Sequence, residues 1–138
     1  MKNRGLNALL SVLVSVVALA GCVRPDSFEM FVPASRAADG VYVFDFEMPD
    51  STRLYDLYFF DRIDGNRPDS LPLNVMWISP SGESFSETVY MDPEKDTELY
   101  RSGIEPYEYG SWRLCVRPVG VDRTFRGMGI VCKENGTR

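Results

Sequence analysis

At 138 residues the chain has room for one domain of common size and not for two. Its 44% hydrophobic and 12% aromatic content, with Pro and Gly spread as punctuation, excludes a disordered or low-complexity protein. The formal charge is −5; without residues 1–21 the chain loses Lys2 and Arg4 and keeps 13 basic and 20 acidic side chains, or −7, and with no basic stripe a nucleic-acid partner has nothing to bind to.

The first residues have the three parts of a targeting signal. Lys2 and Arg4 form a positive start, and Leu6 to Ala20 is an uncharged apolar run of about 15 residues, shorter than the roughly 20 a membrane-spanning helix needs and suited to export followed by cleavage. The run ends in Leu19-Ala20-Gly21-Cys22, a lipobox. Small Ala20 and Gly21 let the strand enter a narrow protease site, and the thiol of Cys22 is the group there that can become a thioether. Residues 1–21 are therefore expected as a lipoprotein signal peptide, 22–38 as a lipidated tether with room for a first strand, and 39–138 as the folded domain. Two or three acyl chains, palmitate-like in length, hold a protein stably on a bilayer, whereas one holds it marginally. Val23 replaces the aspartate that commonly retains lipoproteins in the inner membrane, which points to the outer membrane, facing the periplasm.

From about Ser27 onward, short alternating runs are broken by turn signals every eight to twelve residues, an all-β pattern. Val41 to Glu47 places Tyr42, Phe44 and Phe46 on one face. Arg53 to Asp61 alternates Tyr55, Leu57 and Phe59 against Leu54, Asp56, Tyr58 and Phe60. After the loop Gly65 to Ser70, Leu73, Val75 and Trp77 form an inward set; the turn Ser79-Pro80-Ser81-Gly82 returns the chain into a partner strand from Phe85 to Met91. Asp92 to Tyr109, broken by Pro93 and Pro106, reads as a long connection with one helical turn near Thr97 to Tyr100. Trp112, Leu114 and Val116 alternate until Pro118, and a last strand runs from about Phe125 to Lys133. Seven or eight short antiparallel strands exceed what one sheet with a wet face accommodates, so a two-sheet β-sandwich of jelly-roll type is expected.

The chain contains no histidine, which removes Ser-His-Asp triads, His-based zinc sites and the usual proton shuttle. Carboxylate pairs remain, Asp45 with Glu47 and Asp56 with Asp61, but their places within strands suit a solvated face better than glycosidase chemistry. Asp61-Arg62-Ile63-Asp64-Gly65-Asn66 lacks the alternating oxygen spacing of a calcium loop. Neither a catalytic residue, a metal site nor a cofactor is expected. Once Cys22 is lipidated, Cys115 and Cys132 form an even pair in an oxidising compartment, either bridged across the last hairpin or left as two free, partly buried thiols. Trp77 and Trp112 sit among apolar neighbours and belong to the core. Tyr107 and Tyr109, beside Pro106 and Gly110, belong to the surface, where they can offer an aromatic face to a sugar ring or a partner protein.

The lipobox, the early "VYVFDFEMPD" and "LYDLYFFDR" strands, "LPLNVMWISPSGES" and the terminal "GSWRLCVRPVGVDRTFRGMGIVCKEN" together resemble the gliding-motility lipoproteins of the GldH type. The resemblance implies a β-sandwich lipoprotein acting as a structural component of an envelope assembly and not as an enzyme. Ser-Pro-Ser-Gly and Gly-x-Trp-x-Leu are also similar to the jelly-roll domain that follows the catalytic domain of proprotein convertases, a likeness that concerns fold. The expected function is a non-catalytic, membrane-anchored interaction module with an envelope protein partner; the alternative is a carbohydrate- or surface-binding lipoprotein of a nutrient-uptake system.

Overall fold

The computed structural model describes residues 27–49 and 52–137; the signal segment, the lipobox and Cys22 lie outside them. Eight strands carry the fold: β1 (Ser27–Pro33), β2 (Tyr42–Met48), β3 (Arg53–Ile63), β4 (Leu71–Ile78), β5 (Ser84–Met91), β6 (Thr97–Ile104), β7 (Gly110–Pro118) and β8 (Phe125–Thr137), with one short 3-10 turn at Ala34–Arg36. They form two antiparallel sheets, ordered β1-β8-β3-β6 and β2-β7-β4-β5. β1 pairs with β8, β2 with β7, β3 with β6 and β4 with β5. The chain is thus one long hairpin, tipped by the Ser79–Gly82 turn and rolled into two layers, which is jelly-roll connectivity.

Period-two alternation explains the layers. In β2 the pattern is strictly buried-exposed from Tyr42 to Met48, so Tyr42, Phe44, Phe46 and Met48 face the other sheet while Asp45 and Glu47 face water. The same alternation turns Leu71, Leu73, Val75 and Trp77 inward from β4, and Trp112, Leu114 and Val116 from β7. Tyr55, Leu57 and Phe59 answer from β3, and Met128, Ile130 and Cys132 from β8. Each fully buried Phe or Leu of this set contributes about 1.5–3 kcal/mol relative to exposure.

β8 explains the terminal Arg-Gly-x-Gly run. A register shift between Arg62 and Ile63 gives it one extra residue near Arg126, so Phe125 and Met128 both point inward. Gly127 and Gly129 then face outward, and two aromatic rings lie flat over them. A Cβ on Gly127 would come within 2.3 Å of the Phe31 ring, and one on Gly129 within 2.1 Å of the Phe60 ring. Phe31 and Phe60 stack at 5.9 Å, with the Arg62 guanidinium 4.8 Å above the Phe31 ring.

One expectation is corrected. Thr97 to Tyr100 is not a helical turn within a long connection; it opens β6, the edge strand beside β3. Pairing steps from Tyr55↔Ile104 to Leu57↔Arg101 and then to Tyr58↔Leu99, so β6 carries two irregularities; polar Glu98 and Ser102 in the row of Tyr100 and Ile104, with Leu99 exposed, hide it from a reading of apolar alternation. Of the two states left open for Cys115 and Cys132, the structure has the second, two free thiols. Cys132 faces the core from β8, while Cys115 sits on the outer face of the opposite sheet, opposite Val43 and Met76. The last strand also runs further than expected, to Thr137.

Candidate functional site

The two sheets meet at two open edges. At one, β1 lies over β2; at the other, β6 of one sheet faces β5 of the other, and here the layers part into a cleft of about 560 Å³. Trp77, Trp112 and Met48 form its floor, Phe85 of β5 one wall, Ser102–Ile104 of β6 the other, and Pro106 and Tyr107 its rim.

The floor is an aromatic stack that crosses from sheet to sheet. Tyr100 of β6 lies parallel to Phe59 at 4.5 Å and faces Trp77 at 6.4 Å; Trp77 continues to Phe85 at 6.1 Å. Trp112 meets Trp77 edge-on at 5.9 Å, and Tyr107 meets Trp112 edge-on at 5.3 Å. Offset and edge-to-face pairs of this kind are the geometries the ring quadrupole favours. The stack ends in solvent: Trp77 is 4% exposed, Phe85 43% and Tyr107 61%.

Three polar clamps fix the walls. The Tyr100 hydroxyl accepts from Trp77 Nε1 at 3.1 Å and donates to the Glu87 carboxylate, which Arg101 also holds at 2.6 Å. Burial, and then the bond to Glu87, pushes the Tyr100 hydroxyl pKa up. Burial opposes ionisation of Glu87, but the bonds from Tyr100 and Arg101 outweigh it and hold its carboxyl below the usual range. From β3, Asp56 accepts the Gly103 N–H at 2.9 Å and the Ser102 hydroxyl at 2.8 Å of β6 and the Asn135 amide of β8 at 3.0 Å, and the first two of these lower its pKa most. Gly103 has φ +65°, a left-handed conformation that glycine adopts at little cost, and so the irregular segment bends into the wall. At the rim, Glu108 accepts the Ser81 N–H at 3.1 Å and its hydroxyl at 2.9 Å, while its own carbonyl receives Trp112 Nε1 at 3.0 Å. This ties the β6–β7 loop to the Ser79–Gly82 turn.

The two tyrosines marked in the sequence separate here. Tyr107 lines the cleft; Tyr109, on the other side of Glu108 and 47% exposed, does not. Trp77 and Trp112 are core residues, as their alternation indicates, and their edges also form the cleft floor. Phe85, Tyr100, Arg101 and Glu87 were not singled out from sequence. The hairpin register could have found Phe85, since the turn sets it opposite Trp77; nothing short of pairing β6 with β3 could have found Tyr100.

The carboxylates considered for catalysis have structural partners. Asp45 is held by a two-point fork from Arg113 at 2.7 and 3.0 Å, Glu47 by the Ser111 hydroxyl, and buried Asp61 by Arg67 at 2.7 and 2.8 Å. Asp64 receives Arg126 at 2.5 Å, so the Asp61–Asn66 segment spends these carboxylates on arginines. Among the described residues no cluster of three or more Cys, Asp or Glu side chains could hold a metal ion, and no helix is long and apolar enough to cross a membrane. Comparison with protein-family models, with curated proteins and with solved structures finds no match.

Proposed function

We propose that the protein is a non-catalytic lipoprotein of the bacterial cell envelope, held on the outer membrane through lipid on Cys22 and facing the periplasm, whose jelly roll serves as an interaction module in a membrane-associated assembly, as its likeness to the GldH-type lipoproteins implies. The observation that carries this reading is where the exposed aromatic surface lies. Among the described residues, Phe85, Tyr90, Tyr107 and Tyr109 are the exposed aromatic side chains, and all four, with Leu99, belong to β5, β6 and the loop after β6. Aromatic residues gathered along one edge are what a protein interface uses as anchors. The test is purification of the full-length lipidated protein from its own envelope, with mass spectrometry of what accompanies it. Motility or secretion components support the reading; their absence, with glycan-uptake proteins or nothing in their place, overturns it.

A second reading, a surface-binding lipoprotein of a nutrient-uptake system, is favoured by the cleft itself. Its volume of about 560 Å³ lies within the range of roughly 300–1,000 Å³ typical of small-ligand sites, and mixed aromatic and polar walls are usual for them.

A further inference from the structure

We infer that the cleft between β5 and β6 binds a neutral sugar one or two rings long. The inference rests on the second reading's premise that the cleft takes a ligand, and is independent of the anchor and of any assembly.

A pyranose ring has an apolar C–H face and a rim of hydroxyls that both donate and accept. The cleft offers both kinds of partner on opposed walls. Phe85, 43% exposed, and Tyr107, 61% exposed, present aromatic faces, on which a sugar's C–H face stacks as another apolar surface would. Across from Phe85 lie Arg101 of β6 and Glu105 of the loop that follows, a donor and an acceptor suited to hydroxyls.

Charge selects among ligands. The one cationic side chain in the lining, Arg101, already lies 2.6 Å from Glu87, and the chain as a whole carries −5. A phosphate or uronic acid would meet a neutralised arginine beside carboxylates. Preorganisation favours the same ligand. Asp56 fixes Ser102 and Gly103, Glu108 fixes the loop bearing Tyr107, and Trp77 and Glu87 fix Tyr100, so little ordering cost falls on binding.

The experiment is a titration of the full-length protein in a detergent that carries no sugar headgroup, with cellobiose, maltose, laminaribiose and chitobiose as neutral probes and glucose 6-phosphate as the charged one. Trp77 and Trp112 are the chain's two tryptophans, and both line the cleft, so their emission reports occupancy. At least one neutral disaccharide is expected to shift it saturably. Tyr107→Ala and Phe85→Ala should each weaken that binding by about three- to tenfold, with unchanged circular dichroism, while Val43→Ala leaves it unchanged. Silence with every neutral probe up to about 10 mM, tighter binding of glucose 6-phosphate, or binding indifferent to both cleft variants overturns the proposal. If no sugar binds but a co-purified protein shields Tyr107 from chemical modification, the sugar class falls and the cleft stands as a site; if neither occurs, both fall.

Discussion

The Asp56 carboxylate on β3 holds the backbone N–H of Gly103 on β6 at 2.9 Å, across the point where the two strands fall out of register. An edge strand with an irregularity tends to lose pairing there, and the bond keeps the outward bend of β6 in one shape. The cleft wall therefore depends on a residue outside the cleft. Asp56→Ala is expected to leave the core intact and to raise amide exchange at Gly103 and Ile104 selectively; a uniform rise along β3 and β8 would show that Asp56 supports the whole sheet instead.

The same clamps make the cleft acid-sensitive. Asp56, Glu87 and Glu108 all have pKa values lowered in the folded protein, from ordinary values of 3.8, 4.5 and 4.5. A group whose folded pKa is depressed stabilises the fold above its unfolded value and loses that contribution as pH falls through the folded one. Exchange protection on β6 and in the β6–β7 loop should thus be constant at neutral pH and decline below about pH 4, before the β3–β8 ladder opens. Simultaneous loss in both places would contradict this order.

Arg67 reaches from the loop after β3 to Asp61, whose side chain is fully buried, and also donates to the carbonyls of Pro93 at 2.6 Å and Lys95 at 2.6 Å. Arg67→Ala leaves a buried carboxylate unpaired and should cost about 3 kcal/mol in denaturant unfolding. Arg67→Ala with Asp61→Asn should recover part of that loss, because the remaining group is uncharged.

Gly129→Ala forces a methyl group into the Phe60 ring. A loss of about 1–3 kcal/mol is expected, and the same substitution made together with Phe60→Ala should cost less than the two separate losses combined. Strict additivity would show that the ring does not rest on the glycine.

Thiol counting joins the fold to the anchor. Burial pushes Cys132 to about 12 and Cys115 also upward, so neither thiol should react quickly with an alkylating reagent in the folded protein at neutral pH. Unfolded without reductant, the chain should show two reactive thiols if the proposed anchor holds, because Cys115 and Cys132 are separate and lipidation would turn the sulfur of Cys22 into a thioether. Three would refute lipidation, and none would restore the bridge.

Strands with intact alternation were legible because every second residue pays or gains by facing the core: most of the inward sets of β2, β4 and β7 were read, and only end residues such as Met48 and Leu71 were left out. The Ser79–Gly82 turn was legible from its Pro and Gly, and it closes through the Gly82 N–H to Ser79 carbonyl bond at 2.9 Å. β6 was not. An edge strand buries only one face of one row, and the row that holds Tyr100 and Ile104 also holds polar Glu98 and Ser102 while Leu99 is exposed, so no apolar alternation marks it. The cleft stayed hidden with it, because one of its walls is the strand that could not be read. Tyr107 and Tyr109 were singled out from their exposed setting beside Pro106 and Gly110, and only Tyr107 lines the cleft.

The most direct test of the central claim, that the β5/β6 edge is the working surface, is in-cell photo-crosslinking of the full-length protein with a benzophenone amino acid at Tyr107, Tyr109, Val43 or Met76. The first two lie at that edge, and the last two lie on the outer face of the sheet that contains β4. Adducts from positions 107 and 109 and none from 43 and 76 are predicted. Adducts from 43 and 76 alone would place the working surface on the opposite face and contradict the account.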